Sequence, residues 1–127
     1  MGGVTYDTGA LVAAERNNRQ MWALHAGYLA EEVIPTVPAG VLAEAWRGGS
    51  RQASLSRLLC LCDIEPLTEE LARSVGVLAG RSGHDDIVDV SVVEGAVRRD
   101  DAVVTSNISH IRMVADAVGA SLRIESV

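Results

Sequence analysis

Short runs of β-branched residues alternate with longer helical segments along this chain, and this alternation is the strongest constraint on its fold. Strands are predicted at positions 4–6, 33–37, 102–105 and 121–124, with a further extended stretch at 63–67. Helices are predicted at 10–15, 21–32, 38–46, 51–61 and 108–118, and two more begin at Thr68 and near Ile87. Strands that alternate with helices usually pair in parallel, with helices on both faces of the sheet. The sequence therefore predicts a layered α/β domain around a parallel sheet.

Length and hydropathy indicate one folded domain that spans residues 1–127. The chain has 127 residues, of which 48% are hydrophobic, and that length is typical of a single domain. Its apolar runs are shorter than the roughly 20 residues needed to cross a membrane. The first residues also lack the basic-then-apolar pattern of a signal peptide. We therefore expect a cytoplasmic protein with no membrane partner.

The charged and aromatic residues exclude several classes of function. The net charge is −6, from 17 acidic and 11 basic residues, and all of the basic residues are arginine. Without lysine, the chain cannot form a P-loop, a Schiff base or a protein-kinase ATP site. Phe is absent and only two Trp and two Tyr are present, so a base-stacking platform of the RRM kind is not expected.

Polar residues at the predicted ends of strands and helices are the candidates for chemistry. Asp7 and Asn107 each follow a strand, Glu44 lies within a helix, and Asp86 and Asp89 are one turn apart where a helix begins. Carboxylates that are brought together raise one another's pKa or bind a cation. Oxygen ligands favour Mg²⁺ or Mn²⁺, and a phosphodiester is a natural target for such a centre. Taken singly, each acid could instead cap a helix or lie on the surface.

The order of four short motifs resembles one known family. The motifs are Asp-Thr-Gly-Ala-Leu-Val at 7–12, Val-Leu-Ala-Glu-Ala-Trp-Arg around Glu44, Asp-Ile-Val-Asp-Val from 86 and Val-Val-Thr-Ser-Asn from 103. Together they resemble PIN-domain nucleases, and more narrowly the VapC-type toxins of bacterial toxin–antitoxin pairs. The resemblance covers positions 4–124 and implies a three-layer α/β/α sandwich with a central parallel sheet of four or five strands. It also implies an acidic site that binds Mg²⁺ or Mn²⁺ and cleaves RNA.

The same resemblance assigns residues to this site. Asp7, Glu44 and Asp89 would be catalytic and would bind the metal, and Asp86 would either join them or cap its helix. Asp89 is preferred over Asp86 because it precedes Asn107 by 18 positions, the spacing that the resemblance implies. Asn107 stands where the family usually has Asp, and an amide brings no charge.

Three further residues could support the site, and a histidine could contact the substrate. Thr8 and Thr105 could orient acids or waters through their hydroxyls, or could simply belong to a turn and a strand end. Arg47, one turn after Glu44, could pair with that acid or reach a phosphate. His84 is close to Asp86 in sequence and could contact the substrate, whereas packing or solvent exposure is the expected role of His110.

Two functions from different classes follow. The first is a metal-dependent endoribonuclease that acts as a toxin, with RNA as substrate, a cognate antitoxin as partner and a homodimer as assembly. The alternative is a non-catalytic PIN-like binding module whose metal site is weakened by Asn107. The homodimer is also suggested by apolar helical residues in excess of what a small sheet can cover. They are Met21, Trp22, Leu24, Leu29, Trp46, Leu55, Leu58 and Leu59.

Overall fold

A five-stranded parallel sheet forms the centre of the protein. The structure is a computed structural model that describes residues 2–127. Every pair of neighbouring strands is parallel, and the order across the sheet is β3-β2-β1-β4-β5. The strands are β1 (Val4–Tyr6), β2 (Thr36–Pro38), β3 (Asp63–Glu65), β4 (Ala102–Thr105) and β5 (Ile124–Ser126). The predicted α/β fold class and parallel sheet are confirmed.

Within residues 2–127, seven helices flank the sheet. They are α1 (Thr8–Glu15), α2 (Arg19–Ala30), α3 (Ala39–Ala45), α4 (Ala53–Leu59), α5 (Glu69–Ser82), α6 (Ile87–Arg99) and α7 (Ile108–Ala117), with a short 3-10 turn at Ser50–Gln52. The predicted break between the first two helices is confirmed. Asn17 adopts a left-handed backbone, and the Asn18 side chain caps α2 by accepting from the backbone N–H of Met21. Within residues 2–127, no helix is long and apolar enough to cross a membrane.

The last strand lies further along the chain than its apolar pattern predicts. The expected strand at 121–124 is instead β5 (Ile124–Ser126), whose register with β4 pairs Val103 with Ile124 and Thr105 with Ser126. A short edge strand has little pattern of its own, so hydrogen bonds to the neighbouring strand set its limits.

Apolar residues of modest size fill the core on both faces of the sheet. Three of the residues that suggested a dimer, Met21, Leu55 and Leu58, are completely buried within the monomer. One polar pair also lies in the core, where the Tyr6 hydroxyl and Nδ1 of His25 are 2.8 Å apart and join β1 to α2. Burial raises the pKa of Tyr6 and lowers the pKa of His25, so both groups are neutral at pH 7.

A buried ionic network centred on Asp101, at the amino end of β4, joins β1, β4 and α6. The Asp101 carboxylate accepts hydrogen bonds from Gly3 N (3.0 Å), Thr5 Oγ1 (2.7 Å) and Arg99 Nε (2.9 Å). Arg99 also donates to Glu65 at 2.8 Å, which brings β3 into the network. Because Asp101 is only 5% exposed, its charge depends on these donors.

The sequence alone suggests that the adjacent Arg98 and Arg99 form a solvated helix face. Arg98 is exposed as this interpretation expects, but for Arg99 the interpretation is wrong. Arg98 forms ion pairs with Glu65 at 2.7 Å and with Glu94 at 3.0 Å, while Arg99 belongs to the buried network. Glu65 lies on β3 and Asp101 directly precedes β4, so helical spacing within α6 gives no sign of them. Both arginines are therefore committed to holding α6 against the sheet.

We expect Asp101→Ala to destabilise the protein by about 3 kcal/mol, because it leaves one buried and two partly buried donors without their acceptor. Urea unfolding at pH 7 measures the change in free energy. Glu69→Gln is the matched control, since the Glu69–Arg73 pair is exposed and its loss should cost less than about 1 kcal/mol. Equal effects of the two substitutions would contradict a structural role for the network.

Candidate metal centre

The candidate site lies at the carboxyl edge of the sheet, where the chain order reverses. From β1 the sheet continues through β2 in one direction and through β4 in the other. In open α/β sheets, ligands bind in the crevice at such a switch point. Asp7 directly follows β1, and its backbone N–H donates to Val104 O of β4 at 3.2 Å.

Asp7 is a buried acid that also caps a helix. The residue is 6% exposed, and Oδ1 accepts from the Ala10 N–H at 2.9 Å at the beginning of α1. Burial raises the pKa of Asp7, and the nearby charge of Asp89 raises it further. Hydrogen bonds from the Thr105 hydroxyl and from the amides of Ala10 and Gly9 act in the opposite direction.

Asp89 lies in the first turn of α6, with a side chain that is 21% exposed. Burial and the charge of Asp86 raise the pKa of Asp89, while contacts with His84 and His110 lower it. Asp86 is exposed and caps α6, accepting from the amides of Val88 (3.1 Å) and Asp89 (3.2 Å). Asp86 thus has the capping role that the sequence allowed, and its role as a ligand stays a prediction.

Glu44 joins this edge through a threonine. The Thr8 hydroxyl donates to Glu44 Oε1 at 2.6 Å, which brings the α3 carboxylate to the residue that follows Asp7. Arg47 does not pair with Glu44 here, because its guanidinium donates to the carbonyl oxygens of Ala43 (3.3 Å) and Trp46 (2.8 Å). Arg47 is nevertheless exposed, and it follows Glu44 by three positions just beyond the end of α3.

Asn107 is turned towards its own helix. Its Oδ1 accepts from Ser109 Oγ at 2.9 Å and from the His110 N–H at 3.5 Å, and so caps α7. The Asn107 N–H in turn donates to Thr105 Oγ1 at 2.9 Å. This loop packs tightly on α1, because a Cβ on Gly9 would lie 2.0 Å from Ser106 Oγ. Only glycine at position 9 allows the loop before Asn107 to lie this close to the helix that Asp7 begins.

Two histidines lie near Asp89, and they were harder to predict from the sequence than the other residues of the site. Nε2 of His84 is 3.4 Å from Asp89 Oδ2, and Nδ1 of His110 is 3.7 Å from the same oxygen. His84 stood out only through its closeness to Asp86, and His110 was expected to pack or to be exposed. No local spacing links them, since they come from a loop and from a different helix.

The candidate ligands at this edge of the sheet suit a hard cation, both in the type of their atoms and in their charge. They are carboxylate and amide oxygens, and no arginine contacts buried Asp7 or half-buried Asp89 among the described residues. Within residues 2–127, however, no three His, Cys, Asp or Glu side chains are already arranged around one ion. The charge of Asp89 acts on buried Asp7, so these two acids are the nearest to a ligand set.

The parallel sheet, its order and the helices on both faces define a PIN-like three-layer α/β/α fold. The chain matches no protein-family model and no curated protein sequence. Its fold is similar to that of a chain in the crystal structure of VapBC2 from Rickettsia felis bound to a DNA fragment from their promoter. The TM-score is 0.72, the identity is 18%, and the match covers 98% of each chain. At this identity, the similarity establishes the fold alone.

We expect Asp7→Asn to stabilise the metal-free protein, raising the thermal midpoint at pH 7 by about 4 °C, or roughly 1 kcal/mol. The amide removes a buried charge yet still caps α1, because Asn and Asp are similar caps. Ionised Asp7 costs stability only above its unfolded-state pKa, so the difference should shrink as the pH falls from the raised pKa towards that value. Thermal unfolding in EDTA between pH 4 and 8 measures it, with exposed Asp85→Asn as control. A lower midpoint for Asp7→Asn would contradict this account.

Proposed function

We propose that this protein is a metal-dependent endoribonuclease and acts as the toxin of a toxin–antitoxin pair. The proposal rests on one observation, the burial of Asp7 near Asp89 at the crevice where the strand order reverses. Two negative charges that are largely removed from water and contact no arginine lower the stability of the folded protein. Binding of a cation at an active site would explain why the protein has both acids there. The fold shared with a chain of VapBC2 supports this choice of chemistry over others that use paired acids.

Asp7, Glu44 and Asp89 would hold Mg²⁺ or Mn²⁺, with Asp86 as a further candidate. When bound, such an ion can activate water and stabilise the leaving oxygen of a phosphodiester. The protein keeps the acids in place through local contacts. Helix α1 holds Asp7 through the Ala10 amide, and the Thr8 hydroxyl holds Glu44. Thr105 supports the edge by accepting a hydrogen bond from the Asn107 N–H and by lowering the pKa of Asp7.

Binding of RNA by a chain of net charge −6 needs a local source of positive charge. Arg47 is exposed and carries no carboxylate partner among the described residues. It follows Glu44 by about one helical turn, so we assign it to a phosphate that flanks the one being cleaved. Arg98 and Arg99 take no part, because their guanidinium groups are bound to Glu65, Glu94 and Asp101.

A cognate antitoxin, a homodimer and a cytoplasmic location complete the proposal. The neighbouring fold comes from VapBC2 of Rickettsia felis, whose structure was determined with a DNA fragment from the promoter. By analogy with that complex, we propose that this chain also binds an antitoxin of the VapBC type. Burial of Met21, Leu55 and Leu58 in the monomer weakens the argument for pairing that their apolar character suggested. Exposed apolar side chains are nevertheless numerous, among them Val77 at 64% and Met113 at 56% exposure, and the homodimer stays a prediction.

We expect the purified protein to cleave a short structured RNA with Mn²⁺ or Mg²⁺ and to lose this activity in EDTA. Asp7→Asn and Glu44→Gln should each lower the rate on the order of 100-fold or more, because each removes a ligand charge that nothing nearby replaces. Asp85→Asn changes an exposed acid outside the candidate set and serves as the control. Cleavage that is independent of metal, or unchanged in both variants, would contradict the mechanism.

A non-catalytic module is the second candidate, and the geometry of Asn107 favours it. This residue supplies no charge, and its oxygen is occupied by Ser109 and by the cap of α7. We expect Asn107→Asp to tighten Mn²⁺ binding by adding a carboxylate, which also caps a helix well. Parent and variant are compared for RNA cleavage across a Mn²⁺ titration. A silent parent with an active variant would establish the binding module, whereas two active proteins would establish the nuclease.

A further inference from the structure

Two imidazoles from different parts of the fold approach a single carboxylate oxygen. His84 lies in the loop between α5 and α6, and His110 lies in the first turn of α7. Their Nε2 and Nδ1 atoms are 3.4 Å and 3.7 Å from Oδ2 of Asp89, and the two rings stand edge to face with centroids 6.2 Å apart. Oδ1 of Asp89 accepts no hydrogen bond from any described residue. The two oxygens of this carboxylate thus have different surroundings.

Each histidine is held in place by its own element. The His84 side chain is 16% exposed, and its backbone N–H donates to Ser82 Oγ at 3.2 Å. Gly83, with a φ of +68°, ends α5 in a left-handed turn that directs the chain to His84. The His110 N–H donates to Oδ1 of Asn107, the N-cap of α7, and Asn107 thereby helps to position this histidine.

The chemistry of the contact determines which nitrogen carries hydrogen. An ionised carboxylate can only accept hydrogen bonds, and a neutral imidazole carries hydrogen on one nitrogen alone. Contact with Asp89 therefore requires the hydrogen on Nε2 of His84 and on Nδ1 of His110. At 3.4 Å and 3.7 Å these contacts are longer than strong hydrogen bonds, so they orient the carboxylate mainly by electrostatic attraction.

We propose that His84 and His110 are positioning residues that together hold Oδ2 of Asp89 and leave Oδ1 for a cation shared with Asp7. The part of this proposal that concerns the cation rests on the proposed function; the part that concerns the two contacts does not. Groups that orient a metal ligand without contacting the metal commonly contribute roughly 10- to 100-fold to metal affinity. The role differs from substrate binding, because both nitrogens are directed at a protein carboxylate.

The contacts can be tested without metal by ¹⁵N–¹H NMR of the histidine rings in the full chain. In alkaline buffer, at about pH 8.5, we expect hydrogen on Nε2 of His84 and on Nδ1 of His110. The second of these is the reverse of the form that imidazole side chains favour in water. In Asp89→Ala, His110 should change to the Nε2–H form, while His25, which contacts Tyr6, should not change. Hydrogen on Nε2 of His110 in the parent would overturn the proposal.

Binding of Mn²⁺ without RNA, measured by calorimetry, tests the positioning role. The amide nitrogen of Gln lies near the place of a histidine Nε2, and that of Asn near the place of Nδ1. His84→Gln and His110→Asn should therefore keep affinity within about threefold of the parent, whereas His84→Asn and His110→Gln should weaken it about tenfold or more. Thermal unfolding of all four variants, with midpoints close to the parent's, excludes loss of folding as the cause.

The outcomes separate this proposal from the proposed function. If Asp89→Asn weakens Mn²⁺ binding but none of the histidine variants does, the positioning role is wrong and the metal centre stands. If neither Asp7→Asn nor Asp89→Asn changes Mn²⁺ binding, the metal centre is wrong, and with it the positioning role towards a cation. In that case the NMR result still decides whether the two histidines hold Asp89.

Discussion

The buried carboxylate of Asp101 sets the geometry on which the rest of the structure depends. It binds the Gly3 amide and the Thr5 hydroxyl across 98 and 96 positions of sequence, and it binds Arg99 at the end of α6. These bonds hold β1 and β4 in one register, in which Thr5 pairs with Val103. A shift of one residue would turn every side chain of β1 to the other face. The position of Asp7 beside the end of β4 is therefore decided at the opposite end of the strands.

At the carboxyl edge, the same residues begin helices and form the candidate site. Asp7, Asp86 and Asn107 are the N-caps of α1, α6 and α7. The positive ends of these helix dipoles offset part of the acidic charge, which makes a cluster of carboxylates tolerable in the metal-free protein. The caps also limit how far each side chain can move. The proposed metal site would thus place different demands on these residues than stability does, since burial raises the pKa of Asp7.

Much of this architecture was predictable because its determinants are local. The β-rich run before Asp7, the break between the first two helices, the helix beginning at Thr68 and the apolar spacing of α6 indicated elements that the structure contains. The contacts around the site were not predictable in the same way. The sequence suggested that Arg99 belongs to a solvated helix face, although Glu65, Thr5 and Asp101 surround its guanidinium. His110 gave no signal, because its partner Asp89 lies on another helix.

The sequence by itself determined which segments fold as strands and helices, since hydrophobic period and capping act within a few residues. It also determined that an acid follows β1 and an amide follows β4, because a residue's place at the end of a strand is a property of the chain. Only the tertiary structure decided the strand order, the limits of β5 and the closeness of Asp7, Glu44 and Asp89 to particular partners. Those features arise from hydrogen bonds and ion pairs between segments that are far apart in sequence. Such contacts produce no periodic pattern in the sequence from which they could be predicted.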